Sequence, residues 1–435
     1  MTTALGLRRE DKNRWEQRVP ITPQHVKKLK QKYGVETYIQ PSKIRVFSDK
    51  DYKNNGAHVQ EHLTPSSVVF AVKEIPSDFF EQEKTYVFFS HTIKGQKQNM
   101  PMLKTMMKLH CTLIDYEKIV DTQGKRLVFF GRFAGLAGMV DTLWTFGQRA
   151  AWEQIDSPFK KVKQTIHYKD LPDIQRHLKT IGKEISTKGL PPALTPFVIG
   201  FSGYGHVSLG AQEILDCFPV KEIQPEQIAT IYTNPSNKVV YKIVFKEQHM
   251  VEPKDPEASF NLSEYYQHPE KYHSVFEQYL PSLSILMNCI YWSPQYPRLV
   301  TKQYLQQTLN TKEQNRLKVI GDISADINGA VECTTKNTTP DTPVFVYNPR
   351  TDSITDGYKG EGIVVMAVDN LPCELPRESS QSFSDTLIRF IPAIMNADFT
   401  TPDFKDLQLP EEIKNAVILY QGKLTPTYQY INKFL

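Results

Sequence analysis

The sequence predicts an α/β protein with two parallel-sheet domains and an interdomain cleft, and three observations carry the prediction. Short apolar, β-branched runs alternate with helix-length spacers along the first 130 residues; a second such series runs from Pro196 to about Asn370; and a glycine-rich turn follows the first run of that second series. Alternation of this kind argues for βαβ units around parallel sheets. The 435 residues are enough for two or three domains, each burying its own core.

Taken in order, the chain enters a strand-like segment at once, Met1 to Leu7, which leaves no room for a signal or transit peptide. Thr22 as N-cap and Pro23 at the first helical position start a helix that runs to about Tyr33 and stops at Gly34. Further strands are expected over Val35 to Ile39, Ser67 to Val72, Tyr86 to Phe89, Thr112 to Tyr116 and Leu127 to Phe130. A helix follows from Gly138 through Ile155, and the glycine-rich stretch Gly131 to Gly138 before it reads as a hinge. Pro158 to Pro192 is polar and basic and reads as a connector with a short helix. In the second series, strands are expected at Pro196 to Phe201, Ile285 to Ile290, Lys318 to Ile323 and Ile363 to Val368. Glu374 to about Met395 has apolar residues at helical spacing and returns the chain to its first domain. The expected division is therefore 1–137 with 374–435 as a discontinuous catalytic domain, 138–195 as connecting helix and linker, and 196–373 as a dinucleotide-binding domain.

Composition excludes more than it assigns. Charged residues make up 23% of the chain and the formal net charge is +4, so no strong field for nucleic acid or a membrane surface is implied and a small-molecule substrate is the simpler expectation. The five cysteines, Cys111, Cys217, Cys289, Cys333 and Cys373, are odd in number and widely spaced, unlike a disulfide framework or a metal-ligand set, and point to a reducing compartment. No metal site is expected. No stretch approaches the ~18 uninterrupted apolar residues of a membrane span. The cytoplasm is the expected location, or the mitochondrion if a leader has been removed.

Two short polar signatures carry the chemistry. Val72-Lys73-Glu74-Ile75-Pro76 follows the run Ser67 to Val72, and Ser90-His91-Thr92-Ile93-Lys94 follows Tyr86 to Phe89. Both runs are apolar on both faces, as strands of a buried parallel sheet are. The carboxyl ends of such strands open on a ligand crevice, so Lys73 and His91 are candidates for proton transfer rather than core packing.

In the second series, Pro196 to Phe201 leads into Ser202-Gly203-Tyr204-Gly205-His206-Val207-Ser208-Leu209-Gly210. A strand turning through glycines into a helix offers free backbone N–H groups and the positive end of the helix dipole to a pyrophosphate, which makes the domain Rossmann-like. Four residues rather than the usual two separate Gly205 from Gly210, so an ordinary glycine-rich turn is the alternative. A carboxylate ending the second strand would bind a ribose 2′-hydroxyl and repel a 2′-phosphate. Placing that strand at Val220 to Ile223 leaves Glu222, Gln224 and Glu226 as alternatives for the position. Lys238, Lys242 and Lys246 recur at helical spacing and read either as a solvated helix face or as partners for a 2′-phosphate.

These motifs together, with Glu16-Gln17-Arg18-Val19-Pro20-Ile21-Thr22-Pro23, Gly131-Arg132-Phe133-Ala134-Gly135-Leu136-Ala137-Gly138, Asn288-Cys289-Ile290-Tyr291-Trp292, Asp322-Ile323-Ser324-Ala325-Asp326 and Leu375-Pro376-Arg377-Glu378, resemble the lysine-ketoglutarate reductase domain of aminoadipic semialdehyde synthase. The similarity extends to the lysine-forming saccharopine dehydrogenases of fungi and, more distantly, to alanine dehydrogenase. It covers nearly the whole chain and includes the unusual glycine spacing. The saccharopine-oxidising half is not represented, so a free-standing reductase and one part of a bifunctional protein both fit.

The resemblance implies reductive condensation of L-lysine with 2-oxoglutarate to saccharopine using NADPH, with NADH as the alternative coenzyme. It implies Lys73 as the base that takes a proton from the substrate amine and His91 as the acid and base of carbinolamine formation. It sets Arg18 and Lys94 toward the substrate carboxylates, with Glu74 and Glu117 tuning the site. It places Gly203, Tyr204, Gly205, His206, Val207, Gln224, Arg126 and Asp322 at the coenzyme, although Asp322 and Asp326 equally suit loop-holding hydrogen bonds. NADPH is expected because Gln224 replaces an acid at one alignment. Self-association or fusion to a saccharopine-oxidising domain is compatible with the resemblance. An alanine dehydrogenase-like reductive aminase and a catalytically silent NAD(P)-binding regulator are the rival readings.

Overall fold

The computed structural model describes residues 4–310 and 316–435. The chain divides into two compact units, one of the residues up to Phe130 together with Pro376–Leu435, the other Gly131–Leu375. The cuts fall at 130/131 and 375/376 rather than at 137/138 and 373/374, and the expected connector 138–195 is counted within the second unit.

The first unit is built on an eight-stranded sheet in the order Lys423–Leu424, Val417–Tyr420, Thr112–Asp115, Thr85–Phe88, Val68–Phe70, Ala4–Leu7, Glu36–Ile39, His58–Val59. The six strands from Thr112–Asp115 to His58–Val59 run parallel, and Val417–Tyr420 pairs antiparallel with Thr112–Asp115. The inner strands are buried on both faces, as their continuous apolar sequences require. Of the expected first strand, residues 1–3 lie outside the described residues. The helix Pro23–Tyr33 has the expected bounds, with Gly34 at φ 68° closing it, although Thr22 makes no side-chain capping bond.

Two expectations in this unit are corrected. Leu127 to Phe130 is not a strand: the edge beyond Thr112–Asp115 is taken by Val417–Tyr420, and the chain instead folds back so that the Leu127 N–H donates to the Ile119 carbonyl at 2.9 Å. Glu374 to Met395 is not one helix but Pro376–Leu387 and Ile391–Asn396, because Pro392 lacks the N–H and would clash with the preceding turn.

The second unit carries another eight-stranded sheet, in the order Ser353–Asp356, Val344–Asn348, Ile363–Met366, Val319–Asp322, Ile285–Asn288, Phe197–Ser202, Val240–Phe245, Val220–Glu222. The strands from Ile363–Met366 to Val220–Glu222 are parallel, and the Val344–Asn348/Ser353–Asp356 hairpin closes one edge antiparallel. Lys238, Lys242 and Lys246 therefore do not share a helix: Lys242 lies inside the Val240–Phe245 strand, where it pairs with Glu222 at 2.7 Å. The strand begins where Val239, Val240 and Tyr241 supply the β-branched and aromatic residues a pleated surface favours.

Helix Gly131–Trp152 includes the stretch expected as a hinge. Its glycines answer to close packing. A Cβ on Gly135 would stand 1.9 Å from the carbonyl oxygen of Val207, and one on Gly147 would stand 2.1 Å from that of Phe159. The former connector supplies helix Leu171–Lys188, which buries Ile174, Leu178, Ile181 and Ile185, and Gly182 allows it to approach the Cys217 backbone.

Candidate functional site

In the first unit the strand order reverses direction at Ala4–Leu7, which lies between Glu36–Ile39 and Val68–Phe70. Ligands of open α/β sheets bind outside the carboxyl ends of the strands at such a switch point. The chain segments leaving these ends are tied together. The Arg8 N–H donates to the Phe70 carbonyl at 2.9 Å, and the Glu10 carboxylate accepts from the N–H groups of Val72 at 2.6 Å and Lys73 at 3.0 Å. Glu10 thus fixes the backbone that presents Lys73. Burial, reinforced by the charge of Glu16, pushes the Glu10 carboxyl up to about 7 against those two hydrogen bonds.

Lys73 is half-buried, and its ammonium is held below the usual lysine range, first by burial and then by the positive charges of Arg18 and Lys12, against the pull of Glu16 and Glu74. Glu74 faces the next strand end. Its Oε1 meets His91 Nδ1 at 2.6 Å, and Lys12 Nζ donates to its Oε2 at 2.9 Å. Burial alone would raise the Glu74 carboxyl, but His91 and Lys12 outweigh it and hold the group at about 2. An ionised carboxylate only accepts, so His91 carries its proton on Nδ1 toward Glu74 and directs Nε2 elsewhere.

His91 itself sits in the left-handed region, φ 48°, a conformation that a non-glycine residue keeps only when its surroundings impose it. Asp115 holds the residue before His91. This buried carboxylate accepts from the Ser90 N–H at 3.0 Å and from its hydroxyl, and its other oxygen accepts from the Glu117 N–H at 2.8 Å. Asn99 Nδ2 donates to the His91 carbonyl at 3.1 Å, and the Tyr430 hydroxyl donates to that of Ile93 at 2.7 Å.

The other residues expected here fall into two sets. Arg18 is buried in a two-point ion pair with Glu16, Nε to Oε1 at 2.7 Å and NH2 to Oε2 at 2.5 Å, with its guanidinium 4.3 Å from the Phe130 ring centroid. Lys94 is exposed on the loop after His91. Glu117 is buried, and Arg126 pairs with it, so the structure joins these two within the first unit.

In the second unit the switch point is Phe197–Ser202, between Val240–Phe245 and Ile285–Asn288. Gly203 turns at φ 84°, where a Cβ would also meet Ile290 at 2.9 Å, and Gly205 opens helix His206–Leu215 with no side chain capping its first turn. Tyr204 is exposed and nothing lies within 4 Å of a Cβ on Gly205. A left-handed glycine, an open second glycine and an uncapped helix start with His206 and Val207 in its first turn suit a pyrophosphate, so the residues fit a dinucleotide. Gly210 has another role: its Cβ would stand 2.1 Å from the Arg132 carbonyl, so it serves packing against helix Gly131–Trp152. That explains the four-residue spacing.

A cavity of about 410 Å³ opens beside this turn, lined by Gly203, Gly205, Glu247, Tyr266, Ile290 and Trp292 among others. Asp322 is buried and accepts from Asn288 Nδ2 at 2.8 Å, Ala325 N at 3.2 Å and the Thr334 hydroxyl at 2.6 Å, and burial pushes it up to about 6. All three bonds hold loops at strand ends. The strand hydrogen-bonded beside Phe197–Ser202 is Val240–Phe245, and the Val220–Glu222 strand lies one place further out. Gln224, which follows that outer strand, caps the turn Pro225–Gln227 by donating its N–H to Gln227 Oε1 at 2.8 Å. The acid that ends the adjacent strand is Glu247.

Glu10, Asp115 and Glu247 were missed from sequence, although each lies at the carboxyl end of a strand or within three residues of it. Among the described residues no group of three or more His, Cys, Asp or Glu converges as a metal site, and no helix is long and apolar enough to cross a membrane.

The sequence matches two domain families, alanine dehydrogenase/PNT N-terminal domain over residues 6–137 and alanine dehydrogenase/PNT C-terminal domain over residues 270–427. It is 37% identical to alpha-aminoadipic semialdehyde synthase of Arabidopsis thaliana over 98% of this chain and 41% of that protein, and 34% identical to the mitochondrial alpha-aminoadipic semialdehyde synthase of Mus musculus over 99% and 47%. The chain thus spans less than half the length of these relatives. Saccharopine dehydrogenase [NAD(+), L-lysine-forming] of Yarrowia lipolytica is 25% identical over 88% of this chain and 90% of that one. Among solved structures, an L-alanine dehydrogenase superposes with a TM-score of 0.64 at 17% identity, each chain covered in full, and a transhydrogenase from Sinorhizobium meliloti with 0.53 at 13% identity, over 97% of this chain and 99% of that one. Both share the two-domain Rossmann-like fold.

Proposed function

The chain belongs to the alanine dehydrogenase/PNT family, and from that premise we propose that it is a lysine–2-oxoglutarate reductase, an oxidoreductase acting on a CH–NH bond and serving lysine degradation. It condenses the ε-amine of L-lysine with the ketone of 2-oxoglutarate and reduces the imine to saccharopine with NADPH or NADH. The observation that carries the reading is the half-buried Lys73 with its lowered ammonium, followed in the chain by the carboxylate that holds His91.

Substrate lysine reaches the site as an ammonium with an unperturbed pKa of about 10.4, so freeing its lone pair at pH 7 costs roughly 4 to 5 kcal/mol. Lys73 in its neutral form takes that proton and lowers the cost by holding it. The amine nitrogen then attacks C2 of 2-oxoglutarate, and His91 supplies a proton to the carbonyl oxygen from Nε2. The nitrogen, which carries an extra proton after the attack, returns it to His91 Nε2, and His91 then gives it to the carbinolamine hydroxyl, which leaves as water while the nitrogen lone pair forms the protonated C=N bond. The bound coenzyme supplies the hydride to C2. Glu74 keeps His91 in one tautomer through both steps. Lys94 is assigned to a substrate carboxylate, where a charge-assisted hydrogen bond is worth about 1.5 to 3 kcal/mol, whereas Arg18, buried against Glu16, acts through the charge that lowers Lys73. We place the protein in the cytoplasm, with the mitochondrion, where the mouse relative is named, as the alternative.

The test is nicotinamide absorbance with purified protein, L-lysine, 2-oxoglutarate and each reduced coenzyme, omitting one component at a time. Loss of absorbance that needs both L-lysine and 2-oxoglutarate is expected. Loss with ammonia in place of lysine would favour an alanine dehydrogenase-like reductive aminase, and no loss with coenzyme bound would favour a regulator.

A further inference from the structure

The strand next to the glycine turn decides which part of the chain meets the adenosine ribose. Val240–Phe245 runs parallel to Phe197–Ser202 with Phe245 opposite Ser202, and the Gly203 N–H donates to the Phe245 carbonyl at 3.0 Å. The residues leaving this strand, Lys246 and Glu247, therefore stand directly beside the turn. Glu247 lines the 410 Å³ cavity with Gly203 and Gly205, and Lys246 is exposed and not among the lining residues.

Two tyrosines orient the Glu247 carboxylate. The Tyr266 hydroxyl donates to Oε1 at 2.6 Å and the Tyr204 hydroxyl, from the glycine turn itself, donates to Oε2 at 3.2 Å. One hydroxyl on each oxygen is the arrangement that a ribose 2′,3′-diol presents to a carboxylate. Each oxygen keeps a further lone pair, so the diol can add to the tyrosines or displace them.

Two cations near the turn are engaged elsewhere, while Lys246 is exposed beside Glu247. Arg298 lines the cavity, but its guanidinium donates to the carbonyls of Gly329 at 3.1 Å and Asn328 at 3.0 Å. Lys242 is engaged by Glu222 at 2.7 Å and Gln212 at 3.1 Å. A phosphate on the 2′-oxygen would bring close to two negative charges against Glu247 and remove the hydroxyl donor it needs.

We propose that Glu247, aimed by Tyr204 and Tyr266, receives the adenosine ribose diol and makes this chain select NADH over NADPH. The proposal rests on the reductase reading for its biological sense, and it replaces the expectation of NADPH that Gln224 suggested.

The test is direct binding without substrates, titrating the purified protein with NADH and with NADPH and following nicotinamide fluorescence. NADH is expected to bind at least tenfold tighter. Glu247→Gln, checked for an unchanged melting temperature, is expected to tighten NADPH and bring the two dissociation constants within about threefold. NADPH binding as tightly as NADH to the wild type would overturn the proposal and leave the reductase reading standing. If Lys246→Ala then weakened NADPH alone, Lys246 would be the determinant instead. Binding of neither coenzyme would overturn the dinucleotide site and the reductase reading together.

Discussion

Replacing Gly135 with alanine sets two opposing effects against each other at the crossing of helices Gly131–Trp152 and His206–Leu215. Alanine in a helix interior is favoured over glycine by about 1 kcal/mol, so propensity alone predicts a more stable protein. The new methyl, however, would stand 1.9 Å from the Val207 carbonyl oxygen and 2.7 Å from the Ala211 nitrogen. Both are backbone atoms, so no rotamer change relieves the overlap, and one helix must move by roughly 1.5 Å to reach an ordinary contact. Overpacking of this kind costs typically 1 to 3 kcal/mol, occasionally more, and the absence of a side chain that can yield puts this site at the upper end. The net expectation is a loss of about 2 kcal/mol. For a unit of this size that is a melting temperature roughly 4 to 8 °C lower. Because Val207 is in the first turn after Gly205, the shift also displaces the coenzyme turn, and NADH affinity falls with stability. Scanning calorimetry and a coenzyme titration on Gly135→Ala and on Gly205→Ala read the two effects separately. Gly205→Ala adds a methyl with nothing within 4 Å and is expected to leave the melting temperature unchanged while weakening NADH. A Gly135→Ala protein melting at or above the wild type would refute the close-packing argument.

Lys73→Met and His91→Gln are each expected to lower turnover by at least a hundredfold with NADH affinity within about twofold of wild type; wild-type turnover in both would remove them from the mechanism. Glu10 makes stability depend on pH in a direction opposite to the usual carboxylate. Its folded value of about 7 lies above the unfolded one, so the folded state holds a proton the unfolded state lacks. That contribution is fully present below about pH 4.5 and is lost as pH rises to about 7, by up to about 3 kcal/mol. Urea unfolding at several pH values should show this decline in the wild type and not in Glu10→Gln; equal slopes would count against it.

Where local rules act alone, the sequence was legible: Pro23 and Gly34 bound a helix by backbone geometry, and the apolar runs before Lys73 and His91 end where the strands do. Where a second element decides, it was not. Leu127 to Phe130 has the composition of a strand, but a segment nearly 300 residues later holds the edge it would need. The lysine spacing at 238, 242 and 246 suits a helix, but Val239, Val240 and Tyr241 between them begin a strand that sets Lys242 against Glu222. Gly210 looked like a displaced phosphate glycine because a clash with Arg132 leaves no trace in sequence.

The antiparallel strand Val417–Tyr420 has a consequence for how the protein is made. The second unit is one unbroken stretch and can complete its sheet as soon as Leu375 has been synthesised, whereas the first unit, begun earlier, waits for residues beyond 417. Throughout that interval the Thr112–Asp115 strand carries an open edge of unpaired backbone groups, the feature that invites pairing between nascent chains. Asp115, which anchors both Ser90 and Glu117, lies on that edge, and Tyr430, whose hydroxyl holds the Ile93 carbonyl, is made later still, so the loop that carries His91 gains its last contact near the end of synthesis.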